Sequence, residues 1–385
     1  MKILLLQDEI YLPSLGGGTK ANRLLLESLA REGHECGVIS PALTRSPDGP
    51  KKASEFREEM AERRIELRAD GPEVFRYEHR GVEVDAMNLP DENAIGVHVR
   101  RRIEQFRPDW VIVGDDRQRC LLESALRAAR DRVVMVLQTI VQLPFGPLAV
   151  NENRKQAELM REAKGIFVIS EFQRGYIRTH SGLEARIIRL PVYGDGPFPM
   201  LARFDRGFVT MINPCDLKGA PIFIELARKF AEFEFAAVPT WGANESTLRI
   251  LRQLPNVRLL KPADDIEDIL RQTRIMLMPS LWPETFGYVV PEAMLRGIPV
   301  LASNIGGLPE AKLGVDYLLP VTPAQRRDGA YVAPPQDVGP WGDALSALLG
   351  DARTYERVSR ESREAATKHV SAIKISAITE SFASL

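Results

Sequence analysis

The sequence has little cysteine. Its three residues, Cys36, Cys120 and Cys215, are odd in number and far apart, so they offer neither a disulfide framework nor a zinc spacing. This usage is typical of a reducing compartment. No apolar run is long enough to cross a bilayer, and the opening run MKILLL is too short for a signal peptide and is soon followed by acidic residues. We therefore expect a cytoplasmic protein, with at most a weak peripheral contact to membranes.

Net charge is also nearly absent, because 51 Lys and Arg residues offset 52 Asp and Glu residues to give −1. A chain without a basic excess has no global electrostatic attraction to nucleic acid, so no nucleic-acid partner is expected. The charged segment 51–68 alternates in sign and places Phe56, Met60 and Leu67 at helical spacing. This pattern favours a solvated helix with one apolar stripe over a basic membrane-surface helix.

What the sequence does have is a repeated alternation of short apolar runs and longer amphipathic segments. A chain of 385 residues is too long to fold around one ordinary hydrophobic core, so two domains are expected. Continuous apolar strands that alternate with helices predict parallel sheets covered by helices. The predicted strands are residues 3–6, 36–40, 110–114, 133–138, 166–170, 208–212, 235–238, 257–260, 275–279, 299–302 and 317–320. The predicted helices of the first half are residues 19–31, 53–68, 94–106, 121–130 and 152–163.

A segment rich in proline and glycine, residues 191–207, separates the two series and predicts a linker. The expected organisation is two doubly wound α/β domains, residues 1–195 and 205–353. Residues 354–385 are expected to be helices that pack back toward the first domain. Ligands of such sheets bind beyond the carboxyl ends of the strands, so two domains face to face would enclose a cleft.

The first candidate motif is a glycine-rich turn, PSLGGGTK, directly after the first predicted strand. Gly17 and Gly18 would let the backbone approach a ligand closely, and Thr19 is placed to cap the next helix, whose free amides favour an anion. The turn is not a G-x-G-x-x-G fingerprint. A tight strand-to-helix turn would also use glycine, so the motif alone does not separate a ligand site from a structural turn.

The second candidate motif, INPCDLKG, follows the predicted strand 208–212. The strand ends in Asn213 and Pro214, and Lys218 with Gly219 opens the next helix. A lysine at a helix start, on the carboxyl edge of a sheet, is well placed for a diphosphate. A surface lysine on its own is usually only solvated, so the prediction depends on the third motif.

The third candidate motif is PETFGYVVPE, with a carboxylate at each end of a glycine-bearing apolar turn. A helix is expected to begin near residues 288–291, because proline is tolerated in the first helical turn. Free amides near residues 287–289 could then receive a phosphate between Glu284 and Glu292. Carboxylates are good acceptors for vicinal sugar hydroxyls. A favourable helix start explains Glu292 alone, whereas Glu284 and the Phe286-Gly287 pair indicate a binding site.

The run ETFGYVVPE resembles the E-x7-E signature of glycosyltransferase family 4, whose members are retaining enzymes of the GT-B fold. The flanking PS, EAM, GIPVLAS and GGLPE fall where that family has them. The resemblance covers nearly the whole chain, strongly in its second half and loosely in its first. It implies two Rossmann-like domains, the first binding the acceptor and the second a nucleotide-sugar donor. The implied reaction moves a hexosyl group from a nucleoside diphosphate sugar, above all a UDP-sugar, to an acceptor hydroxyl or amine, with retention and without a metal or other cofactor.

The resemblance also implies roles for individual residues. Glu284 would bind hydroxyls of the donor sugar, Glu292 the ribose, and Lys218 the diphosphate together with the nearby amides. The residues expected to bind the donor are Gly17, Gly18, Asn213, Lys218, Glu284, Phe286, Gly287, Tyr288, Val289 and Glu292. The residues expected to act in catalysis are Glu284, Lys218 and Gln138.

Two positions depart from the family pattern. The family usually has an arginine paired with the Lys-Gly, where this chain has Asn213 and Pro214. Arg174 and Arg178 are possible substitutes. The family also commonly ends the strand matching VVMVLQ in a histidine near the donor sugar, where this chain has Gln138. Glutamine can hydrogen-bond a sugar hydroxyl but cannot become cationic.

Three further residues are weaker candidates. Asp115 and Asp116 follow a predicted strand and invite a metal assignment, but GT-B enzymes generally use amides and cations, so we place them in a loop on the acceptor side. Trp241 follows a strand of the second half and could either stack on a nucleobase or belong to the core.

The sequence leaves the acceptor open among a small natural product, a glycan and a lipid-linked sugar. It also leaves two alternatives to sugar transfer. One is a nucleotide-sugar epimerase or hydrolase of the same fold. The other is a non-catalytic nucleotide-sugar-binding relative, which the missing arginine and histidine would suit.

Overall fold

The computed structural model of the chain describes residues 1–14, 16–43, 45–46, 49–50, 53–116, 120–327 and 330–385. The chain divides into two compact units. The first comprises Met1–Val192 and Ile373–Leu385, and the second comprises Tyr193–Ala372. Both are built on a mainly parallel sheet with helical connections, so the predicted α/β class is confirmed. None of the helices within the described ranges is long and apolar enough to span a membrane.

The first unit contains a nine-stranded sheet in the order β11-β10-β9-β8-β1-β2-β7-β6-β5. Its strands are β1 (Lys2–Leu6), β2 (Glu35–Pro41), β5 (Leu67–Asp70), β6 (Val74–His79), β7 (Val82–Met87), β8 (Trp110–Val113), β9 (Val133–Leu137), β10 (Gly165–Val168) and β11 (Arg186–Ile187). The order reverses between β1 and β8, which pair in parallel. A separate short ribbon joins β3 (Arg45–Ser46) and β4 (Gly49–Pro50).

The helices of the first unit cover this sheet and bury their apolar faces on it. They are α1 (Gly17–Arg31), α2 (Ala53–Glu62), α3 (Glu92–Phe106), α4 (Cys120–Ala129), α5 (Arg154–Met160) and α6 (Glu171–Ser181), with α14 (Ile375–Ala383) from the end of the chain. Strand β9 is buried along its whole length, as expected for a parallel strand covered on both faces. The continuous apolar runs of the sequence therefore indicate the central strands of this sheet.

The structure differs from the predicted helix 53–68. Helix α2 ends at Glu62, and Leu67 opens β5; residues 51 and 52 of the charged segment lie outside the described residues. Strands β5, β6 and β7 were not predicted. In β6, Phe75 and Tyr77 are buried while alternate positions carry charge, and Phe56 of α2 packs 4.7 Å from the Phe75 ring. The apolar stripe of α2 thus packs on β6, a strand whose side chains alternate between buried and more exposed positions.

The second unit contains a six-stranded, fully parallel sheet in the order β14-β13-β12-β15-β16-β17. Its strands are β12 (Phe208–Ile212), β13 (Phe235–Val238), β14 (Val257–Leu259), β15 (Thr273–Met278), β16 (Val300–Ser303) and β17 (Leu318–Leu319). This is the doubly wound order 3-2-1-4-5-6, with its switch point between β12 and β15. An antiparallel ribbon pairs β18 (Gln325–Arg327) with β19 (Ala330–Val332).

The helices of the second unit are α7 (Ala220–Lys229), α8 (Glu245–Gln253), α9 (Glu267–Leu270), α10 (Val289–Leu295), α11 (Leu308–Ala311), α12 (Gly339–Gly350) and α13 (Ala352–Ser371). We expected residues 354–385 to be helices that pack back toward the first domain, but the structure divides them between the two units. Helix α13 belongs to the second unit, where the Tyr355 hydroxyl donates to the Arg274 carbonyl at 2.9 Å. Only α14 joins the first unit, where the Phe382 ring packs on Phe167 at 5.1 Å.

Candidate functional site

The first cluster of candidate residues lies at the switch point of the second unit. Strands β12 and β15 are neighbours there, and loops that leave their carboxyl ends on opposite sides of the switch point frame the usual ligand crevice of a doubly wound sheet. The loop after β12 carries Lys218, and the loop after β15 carries Glu284. Backbone N–H groups of Leu281 and Trp282 donate to the Leu217 carbonyl at 2.9 and 3.1 Å, which ties the two loops together.

Lys218 and Glu284 form an ion pair, in which the Lys218 Nζ donates to Glu284 Oε1. The Ser280 hydroxyl donates to the same oxygen at 2.8 Å. Within the described ranges no donor reaches the second oxygen, Oε2. The Lys218 and Glu284 side chains are 20% and 14% exposed. The pair is therefore well ordered by its partners and still reachable by a ligand.

Three glycines fix the backbone of these loops, because no side chain would fit at any of them. At Gly219, whose φ is 87°, an added Cβ would lie 1.9 Å from the Pro279 carbonyl oxygen. At Gly307 it would lie 2.2 Å from the Thr285 oxygen, and at Gly306 2.7 Å from Glu284 backbone atoms. The Gly307 N–H also donates to the Glu284 carbonyl at 2.7 Å. The GGLPE run, through Gly306 and Gly307, thus packs tightly against the backbone of the loop that carries Glu284.

The PETFGYVVPE run turns into α10 with its first helical residue at Val289. Gly287 has a φ of 98°, which L side chains rarely adopt, and an added Cβ would lie 2.7 Å from the Leu308 side chain. Tyr288 is the N-cap and makes no side-chain capping hydrogen bond. Glu292 lies in the first turn and is buried. The predicted helix start is thus in place, with amides of residues 287–289 at its beginning.

Phe286 was expected to bind the donor, but its side chain is occupied in packing. The residue is buried, and its ring stacks on His369 at 6.0 Å with 20° between the planes. The Tyr288 ring lies 5.7 Å away. Phe286 therefore anchors the start of α10 through its ring, and a donor contact of that ring remains a prediction.

Asn213 and Trp241 lie on neighbouring loops of the same sheet edge. Asn213 has a φ of 61°, and its Oδ1 accepts a hydrogen bond from the Gly242 N–H at 2.9 Å. The amide that stands where the family has an arginine thus holds the loop after β13. Trp241 is 72% exposed, so the alternative of a core position is wrong. The Lys218 Nζ lies 5.9 Å from the Trp241 ring centroid.

In the first unit, the glycine-rich turn opens α1 at Gly17. The expectation that Thr19 caps this helix is wrong. Gly16, with a φ of 93°, is the N-cap, and Gly17 and Gly18 are already helical, so Thr19 is the third helical residue and is buried. Because a glycine has no side chain, the N-cap residue Gly16 itself makes no side-chain capping hydrogen bond.

Gln138 lies beside this turn and belongs to a chain of buried amides. An added Cβ at Gly18 would lie 3.5 Å from the Gln138 Cβ. The Gln138 Nε2 donates to Asn22 Oδ1, and the Asn22 Nδ2 donates to Gln7 Oε1 at 3.2 Å. The Gln7 amide in turn donates to the Glu9 carbonyl at 2.8 Å. Residues after β1, after β9 and in α1 are thereby linked.

The two aspartates after β8 have separate partners. Asp115 Oδ1 accepts from the backbone N–H of Gln138 at 3.2 Å and of Thr139 at 3.3 Å. Burial raises the pKa of Asp115 to about 7. Asp116 Oδ2 accepts from the Leu122 N–H at 2.9 Å and satisfies the first turn of α4.

Arg174 and Arg178, the possible substitutes for the family's arginine, both lie on α6, and Arg178 is exposed in its last turn. Arg174 pairs with Glu171 one turn earlier, at an exposed surface. Gln7, Asn22 and Ser280 were not predicted as site residues. For Ser280, its place four residues before Glu284 was the available signal.

The sequence matches two known families along most of its length. Residues 16–193 match the Glycosyl transferase 4-like domain. Residues 203–351 match the domain described as Glycosyl transferases group 1. The two matches fall on the first and second unit, respectively, and the second contains Lys218, Glu284 and Glu292.

Curated relatives match over short segments. The D-inositol 3-phosphate glycosyltransferase of Nocardia farcinica is 33% identical over 100 residues, which is 26% of this chain and 19% of that protein. The chain thus spans about a fifth of that relative's length.

Solved structures match over the whole chain. Sucrose-phosphate synthase of Thermosynechococcus elongatus is 15% identical with a TM-score of 0.70, covering 100% of this chain and 98% of that one. HepE of Anabaena, in complex with UDP and glucose, is 19% identical with a TM-score of 0.69 over 100% of both chains. At these identities the likeness shows the fold, which is GT-B. The chain therefore combines a segment that matches the Glycosyl transferase 4-like domain with a segment that matches the Glycosyl transferases group 1 domain, and its fold is GT-B.

Proposed function

We propose that the protein transfers a hexosyl group from a nucleoside diphosphate sugar to a hydroxyl or amine of an acceptor. The observation that carries this proposal is the Lys218–Glu284 pair at the switch point of the group 1 domain. A cation and a carboxylate side by side at this edge match the two parts of such a donor, because the diphosphate is anionic and the sugar offers hydroxyl donors.

In this proposal Lys218 and the amides of residues 287–289 stabilise the leaving diphosphate. Charge develops on its oxygens as the bond to the sugar breaks, and preorganised donors act most strongly on developing charge. Glu284 accepts hydroxyl protons of the hexose, with Ser280 holding its Oε1. Glu292, at the first turn of α10, takes the ribose hydroxyls.

The proposed chemistry is retaining and uses no metal or other cofactor. The acceptor oxygen or nitrogen bonds to the anomeric carbon on the face from which the diphosphate leaves. The bond between that carbon and the phosphate oxygen breaks, and the acceptor's proton passes to the leaving diphosphate. Gln138 contributes a hydrogen bond to the sugar and no positive charge.

A UDP-sugar is the proposed donor, and the structural likeness to HepE in complex with UDP and glucose supports it. The proposed acceptor is one of the three classes named from the sequence: a small natural product, a glycan or a lipid-linked sugar. The first unit is the proposed acceptor-binding domain, and its Gly17 and Gly18 are proposed to contact the donor.

The test is incubation of the protein with a panel of nucleotide sugars, with thermal stabilisation and release of nucleoside diphosphate as separate readouts. Sugar transfer predicts stabilisation by at least one donor and diphosphate release that acceptors accelerate. An epimer or free sugar without acceptor dependence would favour the epimerase or hydrolase. Stabilisation without any turnover would favour a non-catalytic binding protein, and no response to any donor would contradict all three.

A further inference from the structure

Trp241 is the most exposed large apolar side chain in the part of the chain that the structure describes, at 72%. It follows β13, which pairs in parallel with β12, so its loop leaves the same edge of the sheet as the loop of Lys218. An isolated exposed apolar residue needs no explanation. Trp241 differs because its backbone is rigidly held and its ring lies at the candidate site.

The backbone around Trp241 is fixed by its neighbour. The Gly242 N–H donates to Asn213 Oδ1 at 2.9 Å, and the Ala243 N–H donates to the Thr240 carbonyl at 3.1 Å. A Cβ at Gly242 would lie 2.8 Å from Asn213 Oδ1, so a side chain there would have to displace the Asn213 amide. The turn therefore holds Trp241 with its indole exposed, and these hydrogen bonds lower the cost of ordering the loop when a ligand binds.

The indole lies beside the cation that the proposed function assigns to the diphosphate. The Lys218 Nζ is 5.9 Å from the ring centroid, within the range of a cation–π contact. In a nucleoside diphosphate only one ribose separates the phosphates from the base, so a base must lie close to any lysine that binds those phosphates. An exposed aromatic face at that distance suits a planar base, since stacking on aromatic side chains accepts every base.

Resting on the proposed function, we propose that Trp241 is the stacking surface for the nucleobase of the donor. It contributes affinity for the aromatic ring without selecting one base by hydrogen bonds. The ring thereby offsets part of the phosphate affinity lost where the family's arginine is replaced by Asn213, whose amide is used to hold this loop.

The experiment compares the protein with Trp241→Ala and Trp241→Phe, titrated calorimetrically with UDP, ADP and inorganic pyrophosphate. Pyrophosphate has the phosphates but no base. We expect Trp241→Ala to weaken UDP and ADP about 10-fold, to leave pyrophosphate unchanged, and Trp241→Phe to restore most of the loss. Ile250→Ala, which removes another exposed apolar side chain of this unit, is the matched control and should change none of the three.

Two outcomes overturn this inference alone. If Trp241→Ala binds UDP and ADP as tightly as the unaltered protein, the ring does not contact the base. If it loses pyrophosphate by the same factor as UDP, the indole only positions Lys218. Absence of binding of all three probes by the unaltered protein would instead overturn the proposed function, and this inference with it.

Discussion

Lys218 and Glu284 are 66 residues apart in the sequence and form an ion pair at the switch point of the second sheet. The strand order produces this meeting, because β12 and β15 are neighbours although β13, β14 and their helices lie between them in the chain. Ser280 donates to the same carboxylate oxygen, Oε1. Two protein donors on one oxygen leave the other oxygen for a ligand hydroxyl.

Ser280 is predicted to act through Glu284. Removing the hydroxyl in Ser280→Ala deletes a hydrogen bond to a charged group, typically about 1.5–3 kcal/mol, so kcat/KM for the donor should fall about 10-fold or more. Ser280→Thr, which keeps the hydroxyl, should retain most of the kcat/KM of the unaltered protein. In a Glu284→Ala background the Ser280→Ala change should have little further effect, because coupled residues are not additive. Full additivity of the two changes in a double-mutant cycle would show that Ser280 acts elsewhere.

Gly307 is predicted to be intolerant of any side chain. Its Cβ would lie 2.2 Å from the Thr285 oxygen, so Gly307→Ala must displace the loop that carries Glu284. Overpacking of this kind typically costs about 1–3 kcal/mol, measurable as a lower Tm. Gly350→Ala is the matched control, because nothing lies within 4 Å of a Cβ there. Equal melting temperatures for the two variants would contradict the close approach.

Asp115 should make stability depend on pH. Burial raises the pKa of its carboxyl from the usual value of 3.8 to about 7. Between these values the folded protein holds a proton that the unfolded chain has released, so unfolding free energy falls as pH rises from about 4 to about 7. Asp115→Asn keeps the Oδ1 acceptor for the Gln138 and Thr139 amides and removes the titration. Its Tm relative to the unaltered protein should therefore rise with pH, whereas the exposed control Asp131→Asn should show no such trend.

Lys312 should produce the opposite pH dependence. It is fully buried, its Nζ donates to the Val300 carbonyl at 2.6 Å, and burial lowers the pKa of its amine from 10.5 to about 7. The unfolded chain then binds more protons between about pH 7 and about pH 10.5, so unfolding free energy rises with pH across that window. Lys312→Met should weaken this rise in Tm between about pH 7 and about pH 10. A slope equal to that of the exposed control Lys229→Met would contradict a buried, titrating Lys312.

Much of the fold could be predicted from the sequence, because parallel strands covered on both faces are continuous apolar runs. Strand β9, VVMVL, is such a run and was predicted to within one residue. Strand β6, VFRYEH, was not predicted because its charged positions alternate with Phe75 and Tyr77, which leaves no continuous apolar run. A strand that is buried on both faces is therefore easier to recognise from the local sequence than a strand that is buried on one face.

The candidate site was predictable in its residue types and less so in its contacts. Lys218 and Glu284 were identified from their places after strands, and the strand order brings them together. The Ser280 hydroxyl and the Gly307 clamp depend on how distant loops meet, which local spacing does not encode. Thr19 was misplaced because three consecutive glycines leave the helix start undefined in sequence. The exposure of Trp241 could not be read from sequence, because an aromatic residue after a strand suits core and surface equally.

The most direct test of the central claim is the steady-state rate of nucleoside diphosphate release by Lys218→Ala, measured with the preferred nucleotide sugar against Lys229→Ala. Both lysines are in the second unit, Lys218 just before α7 and Lys229 at its last residue, where it is exposed. Loss of a preorganised donor to the leaving group should lower kcat about 10²- to 10³-fold in Lys218→Ala, with Lys229→Ala close to the unaltered protein. Equal rates for all three proteins would contradict the assignment of the Lys218–Glu284 pair to sugar transfer.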